Sequence, residues 1–562
     1  MRDTTEEHPG DLTGPELRRW LLHRIYDGLL DGAALSNLAA AIEDRISKGG
    51  RTAGATRRQD EASWSADDVW LIAYPDHFQR PGEPPLVTLR QVMGSLLSDV
   101  CTGLHVLPFF PSTSDEGFSI ADHRAVDDAF GSWDDIEALA GEWRLMVDAV
   151  VNHVSATHPW FEGFLAGEEG YGTFFHVVDE GTDVGAVVRP RAHPLLTEFV
   201  TSRGSEHVWT TFSADQVDLN FQEPEVLLEI LDVVIDYAQR GASVVRLDAV
   251  GFVWKNPGRA SIHEPETHRL VQLMRSCLDA AVPGTALISE TNVPHHENIS
   301  YFHRDPAEVH AVYQFALPPL VAHATLSGDV DALVNWANHL AGPSGDDQTF
   351  LNFLASHDGI GMRPAEGLLT ASQVAGLVKA CEEVGGRVSY RSTPKGLEPY
   401  ELNTTWFDLM TQGVDEAVAV ARHLASHAML LALPGIVGLY APSLFGTPND
   451  LAALAASGYN RTVNRQRFSD VDDLLLAAKD ETQRSGRILE GLTRLVARRR
   501  SSPAFHPSGR CQVSDLGGGA VAIERSYRGH EARWVIDFSG DDAVRTSHDG
   551  GRLEPYGIRF VR

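Results

Sequence analysis

The stretch Val244-Val245-Arg246-Leu247-Asp248-Ala249-Val250-Gly251-Phe252 decides the fold. Its run of β-branched and apolar residues, led in by Gly241-Ala242-Ser243, reads as a buried strand. Arg246 and Asp248 stand two positions apart, so both side chains leave the same face. An ion pair at the end of so apolar a strand gains little stability, because desolvation offsets most of the Coulomb attraction. Alone, the pair is more often structural than catalytic. Company changes that. Leu145 to His153, Ala286 to Glu290 and Phe353 to Asp358 are also apolar runs ending in polar residues. Polar groups converging from the C-terminal ends of several parallel strands build the site of a TIM barrel.

Working outward, further strands are expected at Val69–Tyr74, Gly103–Pro108, Ala311–Gln314 and Gly435–Tyr440, with a helix over Glu223–Arg240 before the central strand. Eight strands alternating with helices give a (β/α)8 barrel with loop insertions after strands 3 and 7. The expected organisation is a helical N-terminal extension over 1–62, a barrel over 63–154 and 213–498, and an inserted B-type domain over 155–212. An acceptor-loop insertion at 363–406 lies within the barrel, and a small antiparallel β domain covers 499–562. Loops as long as the two insertions are usually functional.

At 562 residues the chain exceeds one ordinary core. A net charge of −30 argues against nucleic acid, which needs a basic face. Cys101, Cys277, Cys381 and Cys511 are far apart and read as reduced thiols, neither disulfide framework nor zinc site. Met1 to His8 holds no apolar signal core and no segment reaches spanning length, so no membrane partner and a cytoplasmic location are expected.

Cleaving an acetal with retention takes a carboxylate nucleophile and an acid/base close beside it. Asp248 and Glu290, ending neighbouring strands, suit that pair. Arg246 would keep Asp248 ionised while Glu290 holds its proton. Asp358 is a third carboxylate for sugar hydroxyls or positive charge, and His153 and His357 are donors to those hydroxyls.

The segments DAVVNH, RLDAV, the Glu290 stretch and ASHD resemble the four signature regions of the α-amylase superfamily, glycoside hydrolase family thirteen. That resemblance implies Asp248 as nucleophile, Glu290 as acid/base and Asp358 as transition-state stabiliser. Asp76, His123, His153, Phe212, Arg246, His357 and Arg461 would then line a glucosyl pocket. LPFFPSTSDEGFSIADH, GSWDDIEAL, VWTTFSADQVDLN, HDGIGM and NRTVNRQR are similar to the sucrose phosphorylase branch. The branch implies phosphorolysis through a covalent glucosyl-Asp248, with inorganic phosphate as co-substrate and no cofactor. The residues after Glu290, the run Tyr390 to Asn403 and the N-terminal extension resemble glucosylglycerate phosphorylases, whose aglycone is anionic D-glycerate. The phosphate and acceptor candidates are Arg191 (beside Arg189), Arg391, Lys395, Tyr400, Glu401 and Asn403, the arginines offering forks matched to oxyanions.

A sucrose or sucrose 6-phosphate phosphorylase, a hydrolase or transglucosidase of the same family, and a non-catalytic sugar-binding barrel are the alternatives; the intact triad speaks against the last. Monomer and homodimer both stay open. His263-Glu264-Pro265-Glu266-Thr267-His268 resembles a zinc helix, but its spacing is one residue too long and Pro265 breaks the turn. His295-His296 is read as bordering the acceptor site. Many amylases hold calcium beside the Asn152 position, but the branch implies none here.

Overall fold

The computed structural model describes residues 12–48, 64–179, 181–191, 193–303, 305–340, 347–393, 396–540, 545–546 and 552–561. Eight strands close into a barrel: β1 (Val69–Ala73), β2 (Gly103–Val106), β3 (Arg144–Val150), β4 (Ala242–Asp248), β5 (Ala286–Ser289), β6 (Ala311–Tyr313), β7 (Thr349–Asn352) and β8 (Ile436–Tyr440). Each neighbours the next in chain order and β8 pairs with β1, the arrangement of a TIM barrel. β4 is buried at every residue, which is why it reads as a continuous apolar run rather than an alternating one.

Three strand ends fall three or more residues short of the sequence reading. β4 stops at Asp248, because Ala249 turns into the left-handed region (φ 50°) and a 3-10 turn, Val250–Phe252, follows. β3 stops at Val150, and His153 belongs to a separate antiparallel pair, His153–Ser155 with Gln216–Asp218. β7 stops at Asn352, six residues before Asp358; Ser356 Oγ accepts the Asp358 N–H at 3.2 Å, a side-chain turn that competes with the ladder.

The chain forms two compact units. The first comprises residues 1–62, 106–291 and 300–312. It contains helices Gly14–Ile25 and Gly32–Lys48, and Arg18 of the former reaches both Glu43 (2.7 Å) and Ser276 Oγ (3.3 Å) on helix Pro265–Ala281. Helix Gly14–Ile25 is thereby pinned to an outer barrel helix. The insertion after β3 carries helix Pro159–Ala166 and hairpin Leu196–Thr201 with Gly204–Trp209, around a small core of Val178, Val187, Leu195 and Trp209.

The second unit comprises 63–105, 292–299 and 313–562. After β7 it carries helix Ala371–Glu383 and a three-stranded sheet of Ile360–Gly361, Gly396–Asn403 and Arg387–Thr393. It ends in a four-stranded antiparallel sheet, Arg510–Gly517, Ala520–Tyr527, His530–Asp537 and Ile558–Val561. Two fully buried arginines cap backbone carbonyls there. Arg499 donates to Gly435 O (2.6 Å) and Ala66 O (3.0 Å), and Arg525 to Ala432 O (2.7 Å) and His506 O (2.8 Å).

Candidate active site

In the first unit the parallel register aligns Leu247 with Ser289, so Asp248 and Glu290 stand one residue further along adjacent strands. Neighbouring strands lie about 4.8 Å apart at the backbone, so side chains leaving adjacent ends can face one substrate. Arg246 addresses both groups: Nη1 is 2.8 Å from Asp248 Oδ1, and Nη2 is 4.0 Å from Glu290 Oε2. The turn at Ala249 aims its N–H at Glu290 Oε2, 3.1 Å away. A non-glycine residue held left-handed beside a nucleophile candidate is strain of the kind that clusters at working sites.

Sequence reasoning missed Asp148. It is fully buried, stands opposite Arg246 in the register of β3 with β4, and takes the same Nη1 in a short ion pair. Its signal was present, since an acid inside the apolar run of β3 needs a buried cation.

His153 is buried, with Nε2 at 2.9 Å from the Phe118 carbonyl and 3.1 Å from Gln216 Nε2, and its ring 5.2 Å from that of Phe212. Phe118 in turn lies 5.9 Å from the Arg246 guanidinium. His123 is buried beside His158 (3.3 Å) and its pKa is pushed down by burial to about 4, so it is neutral at pH 7. Thus Arg246, Asp248, Glu290, His123, His153 and Phe212 come together around the ends of β3, β4 and β5.

A hub nearby is Asp215, whose carboxylate accepts from Thr113 Oγ1 (2.6 Å), Ser114 Oγ and Ser119 Oγ (2.8 Å). Burial alone would raise its pKa, but these hydrogen bonds together hold it below the usual carboxylate value. Asn152 Oδ1 accepts from the buried ammonium of Lys255 at 2.6 Å, and the same Nζ lies 2.7 Å from Asp218 Oδ2 and donates to the Phe252 carbonyl. The positive charge at this oxygen cluster comes from the chain itself. No group of three His, Cys, Asp or Glu side chains among the described residues is arranged to hold a metal.

In the second unit Asp358 lies 2.8 Å from Arg461 Nη1 and 3.3 Å from His357 Nε2. Arg461 also forks onto buried Glu401, at 2.7 and 3.2 Å. Asn403, fully buried, donates to the Asp358 carbonyl (3.3 Å) and accepts from Ser389 Oγ (2.8 Å). Asn464 and Arg465 hold the His357 carbonyl at 3.2 and 2.9 Å. Asp76 pairs with Arg467 at 2.7 Å, and that guanidinium lies 4.3 Å from the Tyr74 ring.

The acceptor candidates scatter. Glu401 and Asn403 have their polar atoms turned into the protein as partners of Arg461 and Asp358; Tyr400 is buried. Arg391 is engaged by Glu366 and Glu398. Lys395 lies outside the described residues. Arg191 is half-buried in the first unit, in a loop whose Val188 N–H donates to Ala260 O at 2.9 Å. His296 is largely exposed.

Residues 97–359 match the α-amylase catalytic domain. The chain is 46% identical over 533 residues to a glucosylglycerate phosphorylase of Allomeiothermus silvanus, covering 94% of this chain and 92% of the relative. A glucosylglycerate phosphorylase of Escherichia coli is 41% identical over 90% of this chain and 89% of its own. Among solved structures, sucrose 6F-phosphate phosphorylase from Thermoanaerobacter thermosaccharolyticum superposes with a TM-score of 0.74 at 23% identity, covering 88% of this chain and 98% of the other. That last likeness speaks for the fold alone.

Proposed function

Because the chain belongs to the α-amylase superfamily, glycoside hydrolase family thirteen, in the branch that holds the glucosylglycerate phosphorylases, we propose that it is a retaining α-glucoside phosphorylase. It converts 2-O-α-D-glucopyranosyl-D-glycerate and inorganic phosphate reversibly to α-D-glucose 1-phosphate and D-glycerate. Asp248 attacks the anomeric carbon while Glu290 gives its proton to the departing glycerate oxygen, leaving a covalent glucosyl ester. A phosphate oxygen then displaces Asp248 from the same face that glycerate left, and Glu290 takes back the proton. Two inversions give retention.

The observation that carries this reading is the pair of carboxyls on adjacent strand ends, addressed by one guanidinium. Arg246 steadies the Asp248 carboxylate as the ester forms and breaks. Asp358 stabilises the oxocarbenium-like centre; Asp76, His123, His153, Phe212, His357 and Arg461 bind the glucosyl hydroxyls. Glu401 and Asn403 hold Arg461 and Asp358 in place. Arg191 binds phosphate, and Arg391 and Tyr400 border the acceptor. The enzyme needs no metal and works in the cytoplasm as a monomer or homodimer; no described helix is long and apolar enough to cross a membrane.

The test supplies α-glucose 1-phosphate with glycerate, glycerol, fructose or fructose 6-phosphate and follows phosphate release. Release driven most strongly by glycerate is expected. Release indifferent to acceptor would mean hydrolysis, and preference for fructose a sucrose-type phosphorylase.

A further inference from the structure

A cleft of about 350 Å³ lies within the first unit, where the end of helix Gly14–Ile25 meets helix Pro265–Ala281. The reaction above makes no use of it. Arg24, Asp27, Gln222, Trp254, Glu266 and Arg269 line it. Arg269 joins the two helices, Nη1 donating to the Arg24 carbonyl at 3.2 Å and lying 3.5 Å from Glu266 Oε1.

The polar groups of this lining are not consumed by one another. Arg24 is exposed, and its guanidinium lies 5.3 Å from the Trp20 ring without donating a hydrogen bond to any described residue. Asp27 is exposed and pairs with no described cation. Gln222 Nε2 donates to the Lys255 carbonyl at 3.0 Å, which leaves its Oε1 as an acceptor. Trp254 is the telling member. It is only 7% exposed, and a buried indole ordinarily finds a partner for its N–H. Here that N–H donates to no described residue, yet it is not sealed from solvent.

Two guanidinium groups stand with two carboxylates, so the lining carries no net charge and holds no bias towards an anion. It interleaves donors (both arginines, the indole) with acceptors (Asp27, Glu266, Gln222). A hydroxyl donates and accepts at once, so a ring of hydroxyls satisfies both sets. A phosphate or carboxylate would only accept, and would meet two like charges. The volume falls in the range of small-molecule sites.

We propose that this cleft is a second, non-catalytic binding site for a neutral mono- or disaccharide, with one wall supplied by the end of helix Gly14–Ile25. The site also adjoins the reaction centre's support. Trp254 immediately precedes Lys255, whose ammonium holds Asn152 and Asp218.

The experiment labels the full chain with 5-fluorotryptophan and identifies the Trp254 resonance by its loss in Trp254→Phe. D-glucose and sucrose are titrated, with D-glycerate and inorganic phosphate as anionic controls. The Trp254 signal should move saturably with a neutral sugar. Arg24→Ala and Asp27→Asn change exposed side chains, and melting temperatures check that both variants fold. In each, Kd from that signal should rise by about tenfold or more, as for loss of a hydrogen bond to a charged group, while KM for α-glucose 1-phosphate stays near wild type. No movement with either sugar, or a stronger response to phosphate or glycerate, would overturn the proposal. So would Kd values within about twofold of wild type in both variants, since the signal would then be relayed from the glucosyl pocket.

Discussion

Arg246 is the residue on which the first unit's chemistry turns, because one guanidinium serves Asp148, Asp248 and Glu290. Arg246 and Asp148 are both almost wholly buried. Removing one partner of such a pair leaves an uncompensated charge and costs about 3–5 kcal/mol. Asp148→Asn should therefore lower unfolding free energy by about 3 kcal/mol and pull Arg246 towards Asp248, reducing kcat more than it changes KM. Denaturant midpoints and steady-state kinetics check this, and an unaltered midpoint would show that Asp148 carries no such load. The Arg246–Asp248 pair was legible because two residues on one strand share a face by geometry alone. Asp148 and Glu401 were not legible as charge partners, since each meets its arginine across a distance in sequence that only the closed sheet or the folded loop determines.

At the level of elements, seven of the barrel strands were readable and their ends were not, while β7 (Thr349–Asn352) lies wholly before the run Phe353–Asp358 that was read as its strand. Apolar runs announce a strand, but nothing in composition says that Ala249 breaks left-handed or that Ser356 takes the Asp358 N–H. Those local competitions set where each reactive side chain points. Lys255 shows a related limit: a lone lysine in a polar loop looks solvated, yet it is fully buried against Asn152, Asp218 and the Phe252 carbonyl. Burial pushes its pKa down while Asp218 pulls it back up. The ammonium thereby ties the end of β3, the return strand of the insertion and the turn after β4. Lys255→Met should destabilise the fold by about 3 kcal/mol and speed amide exchange in the 196–209 hairpin. Adding Asp218→Asn should recover part of the loss, because the second buried charge is then gone too. Absence of any recovery would place the effect in packing instead.

Across the described residues, seven buried histidines, His77, His123, His153, His158, His310, His423 and His427, have pKa values depressed chiefly by burial. Each is neutral in the fold at a pH where the unfolded chain already binds a proton. Their contribution is thus whole above the ordinary imidazole value of 6.5 and is lost as pH falls below it. Each adds up to about 1.4 kcal/mol per pH unit to the acid slope. Denaturant midpoints should fall steeply between pH 7 and 5; a flat profile would mean these imidazoles protonate without unfolding. Arg499 and Arg525, with pKa values lowered by burial to about 9 and about 10, still carry charge there and are spent on backbone carbonyls. Arg525→Met should accordingly lower the melting temperature while leaving KM for glucose 1-phosphate near wild type.

The covalent intermediate is open to direct test. Glu290→Gln, given α-glucosyl fluoride, has a leaving group that needs no protonation but a slow second step, so glucosyl-enzyme should accumulate. Peptide mass spectrometry after acid quenching should find one glucosyl residue esterified to Asp248, and added phosphate should discharge it as α-glucose 1-phosphate. Label on another residue, or a β-configured product with no adduct, would contradict the account.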